Sequence, residues 1–426
     1  MRASAYPLVA AEEAAALVLE RTPVLPGERV HLRDAAGRVL ASDLRAPNAL
    51  PAHPSSAVDG YAVRSADAGR TLRVVGESAA GRPLEGSIQP GTAARLLTGG
   101  VVPDGADTVV MVEEVVEAGE TVTVPAGLQP GVNFHRPGAD VKQGELVLRA
   151  GSELGPAEIG LAAALGWPEL EVHRRPRIAL LSTGDELVEV GTEPGRGQIT
   201  DSNRWALLAA LREAGAEVEL LGIAPDEPEP LRTLVESALS RAEVLVTSGG
   251  VSVGTHDLVK PLLESLGTVH IGRVKLKPGK PFTFATIPGR ATIPGRPSIP
   301  LLPDSPPGGG RERLAFGLPG FPVSSLVTFE VFVRPALRKM QGHTNVQRPT
   351  LPVRLGYDAR ASGDRTEYQR VTLHREGKEL VAETTGSQSS SRLMSLAGAH
   401  ALVRVPPGDQ GFKAGTVLEA LILSLP

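Results

Sequence analysis

Residues Glu243–Leu266 read EVLVTSGGVSVGTHDLVKPLLESL: a short run of branched apolar residues, a loop of glycine and serine, then an amphipathic stretch. Glu243–Thr247 has the length and composition of a strand buried on both faces. His256–Leu266 spaces its apolar residues as a helix does. A buried strand leading through a glycine-rich loop into a helix is the repeating unit of an open α/β sheet. The same texture recurs on either side. Upstream, Arg177–Leu181 (RIALL) predicts a strand, Asn203–Gly215 a helix closed by glycine, Glu217–Ile223 a strand and Glu229–Ser240 a helix. Downstream, Val269–Leu276 and Phe316–Gly320 predict strands, and Val323–Leu337 a helix with Pro335 near its end. Residues 177–338 are therefore expected to form a parallel, doubly wound sheet with helices on both faces.

The flanks differ. Leu8–Arg21 predicts a helix stopped by Pro23 and Pro26. From about Arg45 to Gly144 short β-prone runs alternate with turn residues: Thr71–Gly76, Ala93–Leu97, Thr108–Glu113 and Thr121–Val124. Pro156–Leu165 predicts a helix and Glu169–His173 a strand, and the chain after Gln341 returns to short β segments. Within the α/β region, ATIPGR occurs twice in tandem, at Ala285–Arg290 and Ala291–Arg296. With seven prolines and a glycine triplet, Thr286–Arg313 is expected to be a surface insertion.

Composition narrows the function classes. The 426 residues are 41% hydrophobic and 22% charged, the balance of a soluble globular protein, and the net charge of −4 argues against a nucleic-acid partner. With no cysteine, thiolate metal sites and cysteine nucleophiles are excluded. No run approaches the roughly 18 apolar residues of a membrane span, and Glu12 and Glu13 interrupt any signal-peptide core. The expectation is a cytoplasmic protein with no membrane partner.

Polar residues cluster where the α/β strands end. Ser182-Thr183-Gly184-Asp185-Glu186, Asp226, Ser248-Gly249-Gly250-Val251-Ser252, Lys277-Pro278-Gly279-Lys280 and Pro319-Gly320 each follow an expected strand, and ligands of open sheets bind at those carboxyl ends. Any one of these is an ordinary loop, but the set converges on one crevice. Glycines let backbone N–H groups approach an anion, and Lys277 and Lys280 add charge. Asp185, Glu186, Asp226 and Asp257 would repel a phosphate unless a divalent cation such as Mg²⁺ intervened. In the N-terminal half, Asp59-Gly60, Thr98-Gly99-Gly100 and Gly138-Ala139-Asp140 read alone as turns between strands. The histidines form no metal-binding pattern, and no nucleophile elbow is present.

Seven segments in order, PSSAVDGYAV, TGGVVPDGADTVVMVEE, LLSTGDELVEVG, GQITDSN, TSGGVSVGTHDLVK, KLKPGKPFTFA and GLPGFPVS, resemble the molybdopterin molybdenumtransferase family, which includes MoeA and the E domain of gephyrin. The resemblance implies a multidomain α/β chain: a linking domain (1–45 completed by 144–176), a small β-rich domain (46–143), an α/β molybdopterin-binding domain (177–338, carrying the insertion 286–313) and a C-terminal β-barrel (339–426). It implies insertion of molybdate into adenylylated molybdopterin with Mg²⁺ and release of AMP, by a homodimer. A molybdopterin-adenylylating protein and recipient molybdoenzymes are the implied partners. By motif, Thr183, Asp185, Glu186, Asn203, Asp226, Ser248, Gly249, Gly250, Ser252, Asp257, Lys277, Lys280, Pro319 and Gly320 line the pocket, with Asp226 and Asp257 as metal ligands. Asp59, Thr98 and Asp140 close it from the other subunit. Arg365, Arg370 and Gly386–Arg392 are expected to face the cleft. The family's Pro-Gly-Asn-Pro is here Pro319-Gly320-Phe321-Pro322, which exchanges an amide for an aromatic ring. Two other readings are a molybdopterin adenylyltransferase, which resembles only the α/β domain, and a non-catalytic gephyrin-like scaffold.

Overall fold

A computed structural model describes residues 6–250, 258–289 and 312–425. The chain forms two compact units, one made by Glu28–Val172 and the other by the residues before and after it.

In the second of these, six strands form a sheet in the order Glu217–Ala224, Arg177–Thr183, Val244–Ser248, Arg313–Leu318, Thr283–Ile287, Thr268–Ile271. Alternate residues of each central strand enter different cores. Ile178, Leu180, Val244 and Val246 pack with Leu207 and Leu211 of the helix Asn203–Glu213, on one face. Ala179, Leu181 and Leu245 pack with Leu231 and Val235 of Pro228–Leu239 and with Leu262 of Val259–Leu266, on the other. This double burial is why the strands read as unbroken apolar runs.

The sheet departs from the expectation in one strand. Thr283–Ile287 runs antiparallel to both its neighbours, so five of the six strands share a direction. The single strand expected at Val269–Leu276 is two, Thr268–Ile271 in this sheet and Val274–Lys277 in another. Between them a Cβ on Gly272 would lie 2.4 Å from the Tyr6 ring, so the chain turns where only glycine fits. The insertion is also shorter than expected: Thr286, Ile287 and Arg313 are strand residues, paired in register. Residues 290–311 lie outside the described residues. The helix expected at Val323–Leu337 runs from Pro322 to Met340 with a π-helical turn at Phe329–Val333. The widened turn precedes Pro335, whose ring and missing N–H disrupt regular α-helical bonding.

The C-terminal strands Thr350–Leu355, Thr366–Glu376, Glu379–Thr384, Ala401–Val405 and Val417–Ile422 close into a barrel, because Thr366–Glu376 pairs with both Glu379–Thr384 and Ala401–Val405. Val353, Leu355, Val371, Leu373 and Val403 fill its core. Val274–Lys277 extends the barrel sheet through the parallel pairs Leu276↔Thr366 and Lys277↔Glu367. The other unit contains a six-stranded sheet that includes Gly60–Val63, Thr71–Ser78, Thr92–Leu96 and Thr108–Met111, as well as the helix Pro156–Ala164.

Candidate functional site

The carboxyl edge of the α/β sheet is tied together by side chains and by close backbone approach. Asn203, the first residue of its helix, donates from Nδ2 to Ser248 Oγ at 2.8 Å and to the Gly320 carbonyl at 2.7 Å. The Gly249 N–H donates to the Leu318 carbonyl at 3.1 Å. Gly249 has φ +90°, and a Cβ there would stand 2.4 Å from the Thr183 carbonyl oxygen, so the ends of two strands meet only because this residue has no side chain. Thr183 Oγ1 is buried beside Gly250 and has no hydrogen-bond partner among the described residues. Asp185 Oδ1 accepts the Asp226 N–H at 3.2 Å, joining the loops that follow two adjacent strands. Ser252 and Asp257 lie outside the described residues.

Next to this edge is a cavity of about 720 Å³, of the size that takes a small-molecule ligand. Glu186 and Ile199 line it from the loop after the first strand, Pro319–Phe321 and Ser324 from the turn into the next helix, and Lys277–Pro281, Arg365 and Gln388–Ser390 from the barrel side. Thr183, Asp185, Asn203, Asp226 and Ser248–Gly250 sit at the sheet edge but are not part of this lining. The loop Lys277–Lys280 reaches the site from the barrel sheet and not, as expected, from the end of an α/β strand.

The lining favours an anion. Its charged groups comprise Lys277, Lys280 and Arg365 and a single carboxylate, that of Glu186. Lys277 Nζ donates to Ser362 Oγ at 2.9 Å and to Glu367 Oε2 at 3.2 Å, and the Glu367 carboxylate is buried and also accepts from Ser362. This cation is therefore oriented and partly neutralised. Lys280 is exposed. Arg370 does not face the cleft. It is fully buried, donating from Nε to Ser395 Oγ at 3.0 Å and from Nη2 to the Ser389 carbonyl at 3.1 Å, and burial pulls its pKa down to about 10. Its N–H is bonded to Gln388 Oε1 at 2.8 Å, and the Ser390 carbonyl accepts from the Val323 N–H at 3.1 Å. Arg370 thus braces the loop that walls the cavity. Ser362 and Glu367 carry no motif and were missed, because a pairing across some ninety positions brings them to Lys277.

In the unit Glu28–Val172, Asp59 and Thr98 form a pair. Asp59 Oδ1 accepts the Thr98 N–H at 2.6 Å and its hydroxyl at 2.7 Å. The backbone bond, then the hydroxyl bond, hold the exposed Asp59 carboxyl below its usual range. Gly60 is structural, since a Cβ there would overlap the Val110 carbonyl oxygen at 1.9 Å. Asp140 is exposed in a separate turn, its N–H bonded to the Leu50 carbonyl at 3.0 Å, and no hydrogen bond joins it to Asp59 or Thr98. Among the described residues no group of three or more carboxylates and histidines could hold a metal, and no helix is long and apolar enough to cross a membrane.

A cavity lined by Lys277, Lys280 and Arg365 thus lies beside a glycine-pinned sheet edge, on an α/β domain joined to a β-barrel. Residues 9–166 match the MoeA N-terminal region (domain I and II), 179–339 a probable molybdopterin binding domain, and 352–423 the MoeA C-terminal region (domain IV). Molybdopterin molybdenumtransferase of Nostoc is 36% identical over 434 residues, covering 99% of this chain and 94% of that protein. The enzyme of the same name from Haemophilus influenzae is 38% identical over 343 residues, covering 79% of each. Gephyrin of Dictyostelium discoideum is 37% identical over 460 residues, and this chain spans 63% of its length. A solved structure of a molybdopterin biosynthesis MoeA protein from Pyrococcus horikoshii matches with a TM-score of 0.81 at 29% identity, over 98% of this chain and 99% of that one. The chain belongs to the molybdopterin molybdenumtransferase (MoeA) family.

Proposed function

We propose that this chain transfers molybdenum from molybdate to adenylylated molybdopterin and releases AMP, in the biosynthesis of molybdenum cofactor. The observation that carries this reading is the cavity in which Lys277, Lys280 and Arg365 gather beside the Gly249 edge. Adenylylated molybdopterin is a pyrophosphate, and these cations supply the charge that it requires. Lys277, held by Glu367 and Ser362, fixes one phosphate position, while the exposed Lys280 adapts to the other. The dithiolene of the substrate is the metal acceptor, so the chain needs no thiolate of its own. One oxygen of molybdate leaves as water with the two thiol protons, and one water is consumed when the phosphoanhydride is cleaved.

Mg²⁺ fits the sheet edge in one respect. Asp185 and Asp226 are neighbours there, and Mg²⁺ is commonly held by one or two carboxylates with substrate phosphates. Such an ion would neutralise phosphate charge. We assign the chain to the cytoplasm as a homodimer, with Asp59, Thr98 and Asp140 supplied to the site by a second copy, on the basis of the family resemblance. An adenylylating protein would supply the substrate and molybdoenzymes would take the product.

The test is incubation with adenylylated molybdopterin, Mg²⁺ and molybdate while AMP is followed. Molybdate-dependent AMP release supports the reading. Consumption of ATP with free molybdopterin would make the chain an adenylyltransferase, and inactivity in both assays would leave the scaffold reading.

A further inference from the structure

We propose that Phe321 is an aromatic platform on which the planar nitrogen heterocycle of a bound phosphate compound stacks. This deepens the functional reading above and rests on it for the identity of the ligand, a molecule with a pterin at one end and an adenine at the other.

Phe321 is unlike the other phenylalanines of this chain. Five of the eight, Phe282, Phe284, Phe316, Phe329 and Phe332, are at most 1% exposed. Phe134 and Phe412 are half-buried, whereas Phe321 is 60% exposed and lines the cavity that contains Lys277, Lys280 and Arg365. Leaving a phenyl ring in water forfeits the usual gain from burial, so this position is poorly explained by folding alone.

The ring is carried on a rigid turn. Pro322 follows it, which confines Phe321 to extended backbone, observed at φ −73°, ψ 131°. Its carbonyl accepts the Ser325 N–H at 2.9 Å, and the neighbouring Val323 N–H is bonded to the Ser390 carbonyl. A backbone already fixed in place lowers the ordering entropy lost on binding. A second exposed apolar side chain, Ile199 at 57%, lines the same cavity. Cations for the phosphate and a presented aromatic face for the ring are the two parts of a site for a heterocycle carried on a phosphate.

The test compares AMP, neopterin monophosphate and ribose 5-phosphate by calorimetry on the full-length protein, in wild type, Phe321→Ala and Phe321→Tyr. The first two probes carry adenine and pterin, and the third carries the same phosphate without an aromatic heterocycle. Phe321→Ala should weaken one ring-bearing probe about 5- to 100-fold, leave ribose 5-phosphate unchanged, and be rescued by Phe321→Tyr. The probe that loses affinity names the stacked heterocycle. Equal losses for all three probes, no loss for any, or a wild type that binds the ring-bearing probes no better than ribose 5-phosphate would overturn the proposal. The readout needs no molybdenum. Ring-dependent binding without AMP release would sink the insertase reading alone, and AMP release with an unaffected Phe321→Ala would sink the stacking alone.

Discussion

Gly249→Ala probes the joint on which the sheet edge depends. The substitution has two separable costs. At φ +90° an alanine is strained by about 1–2 kcal/mol. Its Cβ would also stand 2.4 Å from the Thr183 carbonyl oxygen, so the two strand ends must part by roughly 1 Å to reach ordinary contact, adding about 1–3 kcal/mol of overpacking. Gly377→Ala isolates the first cost. Gly377 has φ +61° in the turn between two barrel strands, and nothing lies within 4 Å of its Cβ position. The contact cost is therefore the difference between the variants. At about 1–2 °C per kcal/mol for a unit of this size, Gly249→Ala should melt roughly 1–6 °C below Gly377→Ala. Differential scanning fluorimetry gives the melting temperatures, and calorimetry with pyrophosphate gives the second readout, which only Gly249→Ala should impair. Coincident melting and equal pyrophosphate binding would refute the claim that the loop is pinned by this approach.

Three further outcomes follow from the geometry. Thr98→Val removes one of the two bonds that depress Asp59, so the Asp59 carboxyl should titrate higher by NMR. In wild type the contribution of the bonded carboxylate is present above its ordinary pKa and fades as pH falls through the depressed value. An unmoved titration would discard the pair. Lys280→Gln removes an exposed cation of the lining, so pyrophosphate affinity should drop and its salt dependence should flatten; salt-independent binding in wild type would contradict an electrostatic cavity. Mixing Asp59→Asn with Asp226→Asn subunits should restore up to about a quarter of wild-type AMP release if sites are composed across a two-fold dimer. No recovery after verified exchange would place both residues in one chain.

What the sequence disclosed follows from the range of the forces involved. Strands buried on both faces, such as Arg177–Thr183, are legible because each of their residues must be apolar, and the helices between them because glycine and proline punctuate their ends. The Asp59–Thr98 pair was legible only through resemblance, since its two halves read as separate turns. The break in Val269–Leu276 had a signal, Gly272, but the reason for it is Tyr6 at the other end of the chain. The bond from Lys277 to Glu367 and the burial of Arg370 had no local sign. Lys277 was expected to meet an anion and Arg370 to face the cleft, and tertiary pairing alone determines that one is half-neutralised and the other braces a loop. The sheet edge and the cation loop were expected to be one set of α/β loops, whereas the site is assembled from two sheets.

On the proposed function, cleavage of the phosphate link and transfer of the metal are one coupled event. The direct measurement is the ratio of molybdenum bound to the extracted pterin product to AMP released, for the wild type and for a folded Asp226→Asn variant. One molybdenum per AMP is expected in the wild type, and a parallel fall of both in the variant with its melting temperature retained. AMP released without molybdenum on the pterin, or undiminished transfer by the variant, would contradict it.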